Sequence, residues 1–257
     1  MAQTIAVTGK GGVGKTAVAA LIVRALVEAG QTPVLAVDAD PNLNLDAALG
    51  VKADATVGDV REDGLAQAQS QSMPGGMAKA EFLRLRIQQA LVEAEGFDLL
   101  AMGRPEGPGC YCFANTILRA CVDEVGKQYK YLVIDCEAGL EHLSRRTAGD
   151  VDVLVLLSDP SVRSLDTVRR VLDLVDALDT KVGKTAFAFT RVADGVPEAL
   201  KAASKERGLP EPLTIPEDPE LRELDLKGKP LVDVAQDSPA YAAVKALLGQ
   251  IGVLSQP

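Results

Sequence analysis

The sequence predicts a single α/β domain with a mostly parallel central sheet covered by helices on both faces. Two patterns carry this expectation. Short runs that are apolar throughout, rather than alternating, recur along the chain, as expected of strands buried on both sides. Segments with helical apolar spacing separate them, the order expected of a parallel sheet. A third observation concerns organisation. No linker divides the 257 residues, so residues 1–257 are read as one domain.

The elements follow in order. Thr4 to Thr8 is a buried strand leading into a glycine-rich loop. Thr16 to Ala29 has helical spacing and stops at Gly30, a C-terminal cap. Pro33 to Val37 is the next strand. Asp63 to Lys79 is polar with a Pro-Gly-Gly turn and reads as a surface excursion. Further strands are expected at Phe97–Ala101, Tyr131–Asp135, Val151–Leu157 and Thr185–Thr190. Helices are expected at Ala80–Glu95, Ala114–Lys127, Ser161–Ala177, Pro197–Arg207 and Pro239–Leu248.

Charge and composition exclude some functions. A net charge of -9 disfavours gripping nucleic acid, because phosphate neutralisation needs Lys and Arg. No run approaches the roughly eighteen apolar residues of a membrane span. The start lacks a basic region, an apolar core and a cleavage site, so a cytoplasmic protein is expected. The four cysteines are then candidates for metal or redox chemistry rather than disulfides.

Gly9 to Thr16 fits the pattern G-x-x-x-x-G-K-[ST] between a strand and a helix. Each residue type has a physical reason. Gly9, Gly11, Gly12 and Gly14 let backbone N–H groups around Val13 turn inward as an anion nest, and the helix start at Thr16 and Ala17 adds its positive end. Lys15 neutralises the β- and γ-phosphates of ATP, and the Thr16 hydroxyl is offered to magnesium.

Lys10 gives the loop a second lysine. The sequence Lys10-Gly-Gly-Val-Gly-Lys15-Thr16 resembles the deviant Walker A loop of the family that includes MinD, ParA, arsenite-pump ATPases and the nitrogenase iron protein. The resemblance implies that Lys10 reaches the nucleotide of a partner subunit in an ATP-sandwiched homodimer. Val34 to Asp40 looks like the first switch region, which implies that Asp40 orients the attacking water, with Asp38 near the magnesium. Tyr131 to Gly139 looks like Walker B running into the second switch. This implies that Asp135 serves the magnesium's water shell and Gly139 senses the γ-phosphate. Ile215 to Pro230 resembles the segment flanking the adenine, which brings in Pro216. Family members often carry Asn and a basic residue after the preceding strand. Here Thr190 and Arg191 stand there.

Cys110 and Cys112 flank Tyr111 in a Gly- and Pro-rich loop before the expected helix. A disulfide within C-x-C closes a strained ring, whereas neighbouring thiols before a helix have depressed pKa values and affinity for metal. Two thiolates are half of a four-thiolate site, and a two-fold dimer supplies the other half. Thiolates suit both nickel and zinc. With Gly139-Leu140-Glu141-His142-Leu143, this loop resembles CooC-type ATPases, the nickel-insertion factors of carbon monoxide dehydrogenase, with relatives acting on acetyl-CoA synthase. That resemblance implies a nickel metallochaperone with such an enzyme as its client. An iron-protein-like [4Fe–4S] electron-transfer dimer and a MinD- or ParA-like spatial organiser are the competing readings. Glu141 and His142, where the iron protein places a ligand, argue against the first. The low positive charge of Tyr241 to Pro257 argues against the second. Cys121 and Cys136 read as core residues, and His142 as a switch residue or a transient nickel ligand.

Overall fold

A computed structural model describes residues 2–60, 62–63, 79–103, 125–136, 151–178 and 180–254. The apolar run after the N-terminus forms β1 (Gln3–Gly9), followed by α1 (Lys15–Glu28), β2 (Val34–Asp38) and the short α2 (Leu45–Leu49). After α3 (Lys79–Ala90) come β3 (Leu91–Glu93), β4 (Phe97–Ala101) and β5 (Tyr131–Asp135). The remaining elements are β6 (Val151–Ser158), α4 (Val162–Ala177), β7 (Val182–Val192), α5 (Glu198–Glu206), β8 (Pro212–Pro216), α6 (Pro219–Leu226) and α7 (Pro239–Gln250). These strands form one eight-stranded sheet in the order β3-β4-β2-β5-β1-β6-β7-β8. Every pairing is parallel except β3 with β4.

Strand alternation divides the apolar residues between two cores, which is why the runs read as apolar throughout. Ile5 and Val7 of β1 and Val133 of β5 face one way and pack with Leu21, Ile22 and Leu26 of α1 and with Tyr241, Val244 and Leu248 of α7. Ala6, Leu132 and Ile134 face the other way, with Leu165, Val168 and Val171 of α4. Ser161 caps α4, its hydroxyl accepting the Ser164 N–H at 3.3 Å. Helix α1 ends where the N–H groups of Gly30 and Gln31 return to the carbonyls of Val27 and Leu26. Tyr241 holds α7 on α1. Its hydroxyl donates to Glu28 Oε2 at 2.7 Å, and the Arg24 guanidinium lies 4.2 Å from its ring centre.

The expected strands are all present, and the sheet gains two. Leu91–Glu93, read as the end of a helix, is an antiparallel edge strand paired with Asp98–Leu100. Its turn closes through the Ala94 N–H on the Phe97 carbonyl at 3.0 Å, and Val92 favours the extended state that helical spacing conceals. β8 runs into the start of the segment read as flanking the adenine, at Ile215 and Pro216. Helices α2 and α6 were not expected. Of Ala114–Lys127 only the end is described, where Gly126–Gln128 form a 3-10 turn. Most of the polar excursion from Asp63 to Lys79 lies outside the described residues.

Candidate functional site

β1 lies in the middle of the sheet, with β5 on one side and β6 on the other. The chain order turns in opposite directions on either side of β1. Its carboxyl end is therefore a topological switch point, where open α/β sheets place their ligands. The loop leaving that end is built for close approach. A Cβ on Gly9 would lie 2.2 Å from the Leu157 carbonyl oxygen of β6, so no side chain fits there. Gly12 and Gly14 have φ of 79° and 89°, the left-handed conformation that turns successive N–H groups to one side. Gly14 is the N-cap of α1 and offers no side chain to its first turn, which also has no acidic residue. The free N–H groups and the helix dipole together make an anion site.

Two strand neighbours bring carboxylates beside this loop. Asp38 ends β2 and Asp135 ends β5, and the register aligns them directly. Asp135 is 1% exposed. Its Oδ2 accepts the Thr16 hydroxyl at 2.6 Å, while its Oδ1 has no partner. Burial first, then the charges of Asp38 and Asp40, push its pKa up to about 7, against the Thr16 hydrogen bond and the Lys15 charge. A hydroxyl and a buried carboxylate oxygen without a partner are hard donors that fit magnesium. Thr16 and Asp135 would hold that ion, which supplies charge to neutralise the phosphates.

Asp38, beside Asp135, also shapes the loop that follows β2. Its Oδ1 accepts the Asp40 N–H at 3.0 Å, and its Oδ2 accepts the N–H groups of Asn44 and Leu45, each at 2.9 Å. It holds the loop carrying Asp40 in shape. Burial raises its pKa, opposed by these three N–H donors. Asp40 in turn accepts both the backbone and side-chain N–H of Asn42, at 2.8 and 2.9 Å.

These parts open on a cleft of about 1050 Å³. Gly11, Gly12, Val13, Gly14, Lys15, Thr16 and Ala17 line its phosphate end, with Asp40 beside them. Thr190, Arg191 and Pro216, from the ends of β7 and β8, also line it. Glu217, Leu221, Arg222, Asp225 and Lys229 line it as well, all within the Ile215–Pro230 segment. Sequence reasoning did not single them out, although α6 has a clear start signal. Asp218 is its N-cap, followed by Pro219 at the first position. Lys15 is largely buried, and its ammonium reaches the Lys10 carbonyl at 3.4 Å. Thr190 donates its hydroxyl to the Val13 carbonyl at 2.7 Å. Arg191 is exposed, with φ of 56°, at the irregularity where β7 meets β8.

Gly9, Lys10, Asp38 and Asp135 do not line the cleft; Asp135 reaches it through Thr16. The Lys10 ammonium lies 3.5 Å from Asp159 Oδ2, in the loop after β6. Cys136 is fully buried, and burial raises its thiol pKa far above the ordinary range. Cys110, Cys112, Cys121, Gly139, Glu141 and His142 lie outside the described residues. Among the described residues no cluster of His, Cys, Asp or Glu is placed to hold a metal ion, and no helix is long and apolar enough to cross a membrane.

The glycine loop at the switch point, the lysine behind it and the Thr16–Asp135 pair define a P-loop nucleotide hydrolase. Comparison with known proteins narrows this class. A family described as an AAA domain matches residues 2–187. An uncharacterized ATP-binding protein of Methanocaldococcus jannaschii is 42% identical over 247 residues, covering 96% of this chain and 97% of that protein. The carbon monoxide dehydrogenase accessory protein CooC of Rhodospirillum rubrum is 36% identical over 191 residues, 69% of this chain and 70% of the relative. The structure of the septum site-determining protein MinD of Pyrococcus horikoshii, complexed with Mg-ADP, is 26% identical. It covers 98% of this chain and 96% of its own, with a TM-score of 0.71. The chain belongs to the AAA-domain family matched here and is an ATPase with the MinD/ParA fold.

Proposed function

We propose that this ATPase is a nickel metallochaperone that matures carbon monoxide dehydrogenase or acetyl-CoA synthase. The observation that carries the reading is the Cys110-Tyr111-Cys112 pair, in a chain similar to CooC over most of its length. The place of the pair in the sequence supports coupling to nucleotide. Cys110 follows shortly after β4, which pairs with β2, the strand ending in Asp38. The Met102 N–H donates to the Asp38 carbonyl at 2.9 Å, and the Met102 carbonyl accepts the Gly58 N–H at 2.9 Å. Met102, the residue before Gly103, therefore lies at the strand end next to the loop that carries Asp40.

Dimerisation completes both sites. Lys10 does not line its own cleft and pairs instead with Asp159, both side chains being substantially exposed at 43% and 35%. A pair this exposed is worth less than about 1 kcal/mol, so Lys10 is cheaply released to the nucleotide of a second copy. The same two-fold axis joins two C-x-C pairs into one site of about four thiolates, for nickel or for zinc. ATP or metal, or both, bring the copies together, and hydrolysis separates them.

The test is titration with nickel and with zinc, with and without nucleotide, reading molar mass at saturation. One metal per dimer is expected, and its binding should be lost in the Cys110→Ser, Cys112→Ser double variant. Full-affinity binding of one metal per monomer, or unaffected binding by the double variant, would overturn the reading.

A further inference from the structure

We infer that Thr190 is a positioning residue of the phosphate loop, aiming the Gly14 N–H into the cleft by holding the Val13 carbonyl. Thr190 is 3% exposed, at the end of β7. Its hydroxyl lies 2.7 Å from the Val13 carbonyl oxygen and 3.3 Å from that of Ser158. One hydroxyl proton serves one strong hydrogen bond, and the shorter distance assigns it to Val13. Val13 and Thr190 are 177 positions apart. The sheet brings them together, because β6 lies between β1 and β7 and ends at Ser158.

The consequence follows from peptide geometry. In a trans peptide the C=O and N–H point in opposite directions. Among the described residues the sole cis bond is Thr32–Pro33, so the Val13–Gly14 peptide is trans. A carbonyl turned outward onto Thr190 turns the Gly14 N–H inward, toward the phosphate end. This peptide turns about ψ of Val13 and φ of Gly14, and Gly14, at φ 89°, lacks a Cβ to restrain it. The Thr190 hydroxyl supplies the restraint that Gly14 removes, and the buried Val13 side chain supplies a second. This places the action of Thr190 on the phosphates of the nucleotide and not on its base.

The discriminating ligand is tripolyphosphate, which has the phosphates and no base. Thr190→Val removes the hydroxyl and preserves the shape. It should weaken ATP and tripolyphosphate by the same factor, about tenfold, the scale of one lost buried hydrogen bond. Thr190→Ser should restore both to within about twofold of the parent, since it restores the donor. Weaker ATP binding with unchanged tripolyphosphate binding would make Thr190 a base reader and overturn the inference. So would a lowered melting temperature with both affinities unchanged, the mark of a purely structural contact. Should Thr190→Val fail to fold, Thr190→Cys carries the test, because a thiol is a weak donor of similar size. Equal weakening of the two ligands is expected there as well, and unchanged affinities would overturn the inference.

Discussion

Asp135→Asn tests the electrostatic logic of the site, because the aspartate is a buried charge without a full set of partners. Its Oδ1 is unpaired and its Oδ2 has only the Thr16 hydroxyl. Burial lifts its pKa from an ordinary 3.8 to about 7. The folded state thus holds the proton more tightly than the unfolded chain. That favourable contribution is complete below pH 3.8 and is lost as pH rises through about 7. At about 1.4 kcal/mol per pH unit, the ionised carboxylate costs the ligand-free fold about 4 kcal/mol above neutrality. Asn keeps the shape and cannot ionise. The stability difference, variant minus wild type, should therefore rise by about 2–3 kcal/mol between about pH 5 and about pH 8. Urea denaturation in the absence of magnesium and nucleotide measures it. The same substitution should weaken magnesium-dependent ATP binding by about tenfold or more, since it removes a carboxylate from a site for a hard cation. A pH-independent stability difference, or a wild type that outlasts the variant at high pH, would refute the reasoning.

Lys15→Ala should reduce ATP affinity by roughly a hundredfold, because a buried ammonium beside the phosphate loop makes charge-assisted contacts that water replaces poorly. Calorimetric titration checks it, and undiminished affinity would remove Lys15 from the site. Asp40→Asn should bind ATP within a few-fold of wild type and hydrolyse it on the order of a hundredfold more slowly, as expected when a group that orients water is lost. Steady-state phosphate release, measured with the binding constant, separates the two effects. Wild-type turnover would exclude Asp40 from the chemistry.

The sheet was legible because burial on both faces leaves a simple trace. The strands on both sides of β1 carry apolar runs, Tyr131–Ile134 in β5 and Val153–Leu157 in β6, and periodicity finds such runs directly. What escaped notice was short or polar. Leu91–Glu93 is three residues long and continues a helical pattern, so spacing could not reveal where helix became strand. α2 is a five-residue helix with only Leu45, Ala48 and Leu49 inward, and α6 offers only the half-buried Leu221 and Leu224 to the core, so neither has an apolar stripe long enough to announce it. In the site, the residue types of the phosphate loop were legible because nest, dipole and cation dictate them locally. The partners of those residues were not. Asp159, which faces Lys10, and Val13, which accepts from Thr190, are brought into contact only by the order of strands, and single-sequence spacing carries no trace of that order.

The same order explains why the protein tolerates Asp38 and Asp135 side by side. Two adjacent parallel strands, β2 and β5, end in register, so their last side chains meet. The fold treats the pair unequally. Asp38 receives three backbone N–H groups, which offset part of the cost of burying a carboxylate. Asp135 receives one hydroxyl. The difference separates a structural carboxylate from one left ready for a cation. Satisfying Asp135 with further donors would stabilise the empty protein and fill the position where a magnesium ion can contribute. A buried acceptor without a partner is a defect in a purely structural protein. At the carboxyl end of β5, beside a phosphate loop whose helix start is equally uncapped, it is a donor suited to magnesium. The instability of the ligand-free site and its affinity for ligand thus have one physical origin, which is why a single substitution at Asp135 should move both, in opposite directions.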